Sequence, residues 1–329
     1  MPTSFEEKLI RFFGGQWFLA LAWLAMVASV VVGVGTGHVA TGDDAQGIFW
    51  GIGESFVDNP AFSATVNLLM LTAVGSLLLW LNKTYLFVRE STTVLGSAFY
   101  LLTMANPYVG TSVQAGTVLA LIVVVGAFYV FSAYQRSRAQ HSVFLTMVIA
   151  TVCAMFHWAF VLLIVLFFIG FVYMRAMNWR SVVAAAMGIF VPFWIVLGLG
   201  IATLADFKPL AINSVWASLE LSQVRMFIVN VAVTVLAILV ITGVNIGTIA
   251  NYRLQLRVYN AFFVISSALT IVAMVVDYRD LQVFLASLHM YLAVQLAHAF
   301  TISKSAHRYV YIVVLIVWCV ASCIASLLM

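Results

Sequence analysis

The sequence predicts an all-α, polytopic transmembrane helical bundle of about 11 spans, short helix hairpins among them, built as one integral membrane domain over residues 1–329. Three observations predict it. Apolar residues make up 64% of the chain and charged residues 8%, against about 25% charged in an average soluble domain. The apolar residues gather into runs close to the roughly 20 residues a helix needs to cross the hydrocarbon core. The cations between those runs are distributed as membrane topology demands. A soluble enzyme, a disordered protein and a nucleic-acid binder are excluded together. A net charge of +4 does not imply a polyanionic partner, because its meaning depends on which side of the membrane each charge faces.

The first element is a short amphipathic lead, MPTSFEEKLIRFFGGQ, followed by a retained first span from Trp17 to Val34. The second span runs from Phe62 to Leu81. Thr92 to Met104 follows, too short to cross unaided, and ends at the break Ala105-Asn106-Pro107-Tyr108-Val109-Gly110. The next span extends from about Gln114 to Tyr134. Ser142 to Tyr173 carries no charge and is too long for one span, so it divides near Phe156-His157-Trp158 into two short helices meeting at a tight corner. The remaining spans are Val182 to Leu204, Met226 to Thr248, Tyr259 to Val276, Leu281 to Ile302 and Tyr309 to Leu328.

With the N-terminus in the cytoplasm and strict alternation, Lys8, Arg11, Lys83, Arg89, Arg136, Arg138, Arg175, Arg180, Arg253, Arg257, Lys304 and Arg308 fall inside. Only Lys208, Arg225 and Arg279 fall outside, a split of 12 to 3 that follows the positive-inside rule. It depends on both the short third helix and the divided hairpin, since losing either reverses every later loop. The expected location is the bacterial inner membrane, with the C-terminus on the outer side. Acids sort the other way. Glu6, Glu7 and Glu90 lie inside, and the other eight lie outside. Acids contribute little to orientation, so this split is an independent sign that polar chemistry concentrates on the outer face.

The longest polar interval is the first outer loop, GTGHVATGDDAQGIFWGIGESFVDNPAF. Asp43 and Asp44 stand between Gly42 and Gly47, ahead of Ile48-Phe49-Trp50, a stretch suited to the headgroup region. Such a pair can hold a divalent cation, act as a general base beside a lipid-borne substrate, or cap an interfacial helix. A later outer segment, Asp206 through Trp216 and Glu220 to Arg225, has the spacing of another interfacial helix. Its Lys208 and Arg225 suit a lipid phosphate, or pair with Asp206 and Glu220.

Cys153, Cys319 and Cys323 sit in apolar runs as small hydrophobes. None of the six histidines is expected to bind a metal. His157 falls at the hairpin corner, where a structural hydrogen bond is expected, and His289 and His298 are too far apart on one helix to share an ion. No span carries a central carboxylate, Lys or Arg, which argues against ion-driven transport.

From Trp80 to Asp206 the order of motifs resembles a family of uncharacterised polytopic membrane proteins of Bacteroidota. The matching pieces are "LNKTYLFVREST", the short helix ending in "ANPYVG", "AFYVFSAYQRSRAQ", the hairpin "CAMFHWAFVLLIVLFF" and "MNWRSVVAAAMGIFVPF". That resemblance implies no activity. More distantly, the arrangement is similar to membrane glycosyltransferases that use polyprenyl-phosphate sugars: a first span, an outer loop with an acidic pair, then short hairpins between basic inner turns. There "GDDAQGIFWGI" looks like the first-loop acidic motif, and the resemblance puts Asp43 or Asp44 in the base position. The later outer segment "ANPYVGTSVQAG" lacks the further acids those enzymes often carry.

The leading expectation is therefore a glycosyltransferase-like protein acting on lipid-linked glycans at the outer face. Its expected partners are membrane lipids, including a polyprenyl-phosphate-linked sugar, and no nucleic acid. The alternatives are a non-catalytic membrane subunit of an envelope assembly, whose partner helix would approach at Gly33–Gly37 or Gly243–Gly247, and a lipid or small-solute carrier.

Overall fold

Apolar runs that must bury their own backbone polar groups become helices, because a helix closes all its hydrogen bonds within one segment. A computed structural model describes residues 4–37, 47–49, 59–88, 92–203, 221–277, 281–302 and 309–328, and among them every regular element is helical. The elements are α1 (Ser4–Phe13), α2 (Gln16–Gly35), α3 (Pro60–Tyr85), α4 (Thr92–Met104), α5 (Pro107–Gly110), α6 (Ala115–Ser132) and α7 (Gln140–Phe156). After a 3₁₀ turn at Trp158–Phe160 come α8 (Val161–Tyr173), α9 (Trp179–Gly198), α10 (Leu221–Ile249), α11 (Leu254–Val276), α12 (Leu281–Ile302) and α13 (Tyr309–Leu328). Eight helices, α2, α3, α6 and α9 to α13, are long and apolar enough to cross a membrane. α4, α7 and the segment from Trp158 to Tyr173 are shorter apolar helices.

One end of the bundle is organised around α1. Gly14 and Gly15 end α1 so that α2 can turn away, and Phe13 packs edge-on against Phe18 at 5.0 Å. Thr93 Oγ1 at the start of α4 donates to Gly14 O at 2.6 Å. Two further turns at this end bind each other: Gln135 N donates to Met174 O at 2.9 Å, and Asn178 Nδ2 donates to Ser137 O at 2.9 Å. Gln135 and Arg175 take left-handed φ values of 54° and 56° to close them. Lys8, Arg11, Lys83, Arg136, Arg138, Arg175, Arg180, Arg253 and Arg257 all lie in or beside the turns of this α1 end.

Asn178 does double duty, because its Oδ1 also caps α9 by accepting from Ser181 N at 2.9 Å. Asn178→Ala removes both bonds and is expected to cost about 1–2 kcal/mol. Asn178→Asp keeps the cap and loses only the donor to Ser137, so it is expected to fall between the two. Thermal unfolding in detergent reads the order, and equal loss in both variants would show that the cap contributes nothing.

At the opposite, far end two predicted irregularities take physical form. α7 stops at Phe156, His157 adopts extended backbone at φ −150°, and its Nδ1 accepts from Ala159 N at 3.2 Å to start the turn into α8. The chain therefore returns at His157 as two short helices. α4 likewise stops at Met104, and the stretch through α5 to Gln114 is buried throughout. Buried backbone without helical bonds needs side-chain partners. Asn67 Nδ2 donates to Val109 O at 2.8 Å, Ser29 Oγ to Met104 O at 3.2 Å, and Ser63 Oγ accepts from Val113 N at 2.9 Å.

Gly33 lies against Thr111 and Pro107 of this break, where an added Cβ would meet the Thr111 methyl at 2.9 Å. Of the pair Gly33–Gly37, Gly33 is covered and Gly37 has open space where its Cβ would stand. Gly33 is used within the chain, because α5 needs a side-chain-free surface to approach α2.

The core is built around α12, which is buried over residues 283–300 and packs against α4, α6, α10 and α11. It is also the least apolar of the eight long helices. At the α1 end, Phe131 of α6 anchors an aromatic cluster: Tyr259 stacks on it at 4.4 Å, and Tyr85, Phe262 and Phe263 meet it edge-on at 5.4–5.7 Å.

Candidate functional site

The far-end corner is the part of the bundle that the first long loop reaches. A helix leaves its last carbonyls without intrahelical donors, and at the end of α7 that gap is filled from a distant part of the chain. Ile48 N donates to Met155 O at 2.7 Å, and Phe49 N shares the same oxygen at 3.3 Å. The Phe49 ring packs on Phe156 at 5.0 Å. Ile48, Phe49 and Phe193 cover a small second core formed by Met155, Val196 and Ala202. Gly47 lies so close to the carbonyls of Met155 and Phe156 that no Cβ fits there. Its identity is thus set by a backbone-to-backbone approach. The segment that follows the acidic pair in sequence is pinned to the corner of the α7–α8 hairpin and to the end of α9.

Of the residues singled out from sequence, Asp43, Asp44 and Lys208 lie outside the described residues. Arg225 lies in the first turns of α10, where the backbone alone is described. Among the described residues no group of three His, Cys, Asp or Glu side chains is arranged to hold a metal ion. The three cysteines are unpaired thiols, two buried and Cys153 half-buried.

Two cavities lie elsewhere in the bundle. The first, of about 320 Å³, opens between α10 and α13 over a floor of α4 and α12. Its lining is almost wholly apolar, including Leu102, Ile241, Leu292, Val314 and Trp318, with Thr234 the main polar exception. Its shape and chemistry suit a hydrocarbon chain. The second, of about 510 Å³, lies at the α1 end between the close of α3 and the α10–α11 turn, lined by Tyr85, Asn251, Tyr252, Arg253 and Gln255.

Sequence reasoning read Gly47 only as a bracket to the acidic pair, and missed that Ile48 and Phe49 dock on Met155. A glycine beside two large apolar residues was the available signal. No family model, no curated protein and no solved structure matches the chain.

Proposed function

We propose that this protein is a membrane glycosyltransferase-like enzyme acting on lipid-linked glycans at the outer face of the bacterial inner membrane. In this reading the chain crosses eleven times, with the α1 end cytoplasmic and the far end outside. The cations gathered at the α1 end support that orientation. The observation that carries the functional reading is the anchoring of Ile48 and Phe49 on the Met155 carbonyl. A loop presenting a general base beside a lipid-borne substrate needs such a tether, because positioning supplies much of a base's catalytic value. Asp43 or Asp44 takes the proton of an acceptor hydroxyl, whose oxygen attacks the anomeric carbon of the sugar. The polyprenyl phosphate departs with the bonding electron pair, and Arg225 or Lys208 holds its charge. Conversion of both aspartates to asparagine, followed by profiling of lipid-linked glycans, tests the reading.

Orientation has its own test. With the three native cysteines replaced, a single cysteine at Asn59 or Asn213 is expected to react with an impermeant maleimide from outside, and one at Gln135 or Asn251 is not. Reaction at Gln135 would overturn the assignment of sides.

A second reading, a non-catalytic subunit of an envelope assembly, draws on one observation. Gly243 and Gly247 are exposed on α10 with open space where each Cβ would stand, so a partner helix has room to approach there.

A further inference from the structure

A helix buried on every side within a bundle has no need of lipid-compatible side chains, and α12 uses that freedom along one stripe. Ser287, Tyr291, Gln295 and His298 fall within roughly 80° of one another around the helix, and their exposures are 0%, 1%, 1% and 1%. α11 faces them with a matching set. Asn260 stands opposite Gln295, and Ser266 and Thr270 stand opposite Tyr291. α10 adds Asn245. Polar groups thus line the α11–α12 seam from Thr270 and Ser287 in its far half to His298 near the α1 end. From Ser287 to His298 this is about 17 Å of helix, more than half of a hydrocarbon core of about 30 Å.

Polar side chains between membrane helices often serve as interhelical links, and part of the seam does so. Asn245 Nδ2 donates to Gln295 O at 2.8 Å and to Gln295 Oε1 at 3.1 Å, and Gln295 Nε2 donates to Asn260 Oδ1 at 3.3 Å. Linking does not account for the rest. Ser287 Oγ, both ring nitrogens of His298 and Asn245 Oδ1 meet no hydrogen-bond partner among the described residues. Each such buried group costs about 1–3 kcal/mol if it stays unpaired, and apolar residues would fill the same space at no such cost. Ser266 and Thr270 donate to carbonyls of their own helix, at 2.6 and 2.8 Å, and their oxygens keep acceptor capacity toward the seam. Water molecules, each donating and accepting, would complete all of these groups at once.

We infer that the α11–α12 seam holds a file of water molecules and passes protons between the two ends of the bundle. The side chains suit that task. Hydroxyls of Ser287 and Tyr291 donate and accept, and the His298 ring can take a proton on one nitrogen and release one from the other. At each hop one O–H or N–H bond forms as another breaks, so charge moves without an oxidant or reductant. Asn245, Gln295 and Asn260 do not relay protons. They tie α10, α11 and α12 together across the middle of the seam. The titratable groups on the seam are Tyr291 and His298. His289 lies on the opposite side of α12, Arg257 and Tyr259 stand near one end of α11 and Asp277 at the other, α4 and α6 carry Tyr100 and Tyr129, and α10 contributes none among its described side chains.

The experiment uses the full chain in phosphatidylcholine liposomes with trapped pyranine, valinomycin and equal potassium on both sides, after an external pH step. Wild-type proteoliposomes are expected to equilibrate faster than protein-free liposomes. His298→Phe and Ser287→Val are each expected to slow the protein-dependent rate by roughly tenfold or more, the factor that about 1.4 kcal/mol on the barrier produces. His298→Gln keeps a polar, hydrogen-bonding group that cannot take up a proton, and is expected to be as slow as His298→Phe while eluting as wild type from a sizing column. Conservative replacement on the opposite side of α12, His289→Gln, is expected to leave the rate unchanged. Wild-type flux equal to that of empty liposomes would overturn the inference. So would flux that survives in all the His298 and Ser287 variants, since protons would then cross elsewhere. Because this readout involves no glycan, its outcome is independent of the transferase reading.

Discussion

Cells carrying Asp43→Asn together with Asp44→Asn are expected to lose product formation by about 10²–10⁴-fold, the usual contribution of a positioned general base. Asparagine is the informative replacement. It caps a helix about as well as aspartate, so a capping role would survive the change, whereas a base or cation ligand would not. Profiling of lipid-linked intermediates, with protein level followed by immunoblot, separates the two. A wild-type profile at normal protein level would remove the catalytic role and leave the subunit reading in front. The exposed Gly243–Gly247 face of α10 would then be the place to seek the partner helix.

Phe131→Ala is expected to destabilise the protein by about 3–5 kcal/mol, the range for truncating a fully enclosed aromatic. Phe131 is 1% exposed and stands where α3, α6 and α11 converge. Its loss removes the ring on which Tyr259 stacks and opens a space that rigid neighbouring rings close poorly. Phe131→Leu fills most of that space and is expected to cost markedly less. Thermal unfolding in detergent gives the comparison. Equal stability of Phe131→Ala and wild type would mean that the cluster does not hold the α1 end together.

The structure and the sequence part company at particular residues. The return at His157 was legible because Arg138 and Arg175 flank a charge-free stretch too long for one helix and too short for two full spans. The pairing of Gly33 with Thr111 was not, because Gly33–Gly37 and Gly243–Gly247 have the same spacing. One member of the first pair is covered by α5, while both members of the second are open. The partner that Ile48 and Phe49 dock on was equally hidden, since any helix end offers free carbonyls and nothing in a one-dimensional pattern says which distant segment will use them.

The helical bundle, the segments that form it and the grouping of cations at one end can all be read along the chain. These follow from local quantities: the length of an apolar run against the thickness of hydrocarbon, and the position of each Lys and Arg between runs. Which helix stands in the middle emerges from the packing alone. α12 reads as an ordinary span with rather many polar residues, and its Ser287, Tyr291, Gln295 and His298 look like costly interruptions until α4, α6, α10 and α11 are seen to surround it. Which faces meet lipid and which meet one another depends on packing between segments far apart in the chain, and hydropathy, averaged along one helix, carries no record of its neighbours.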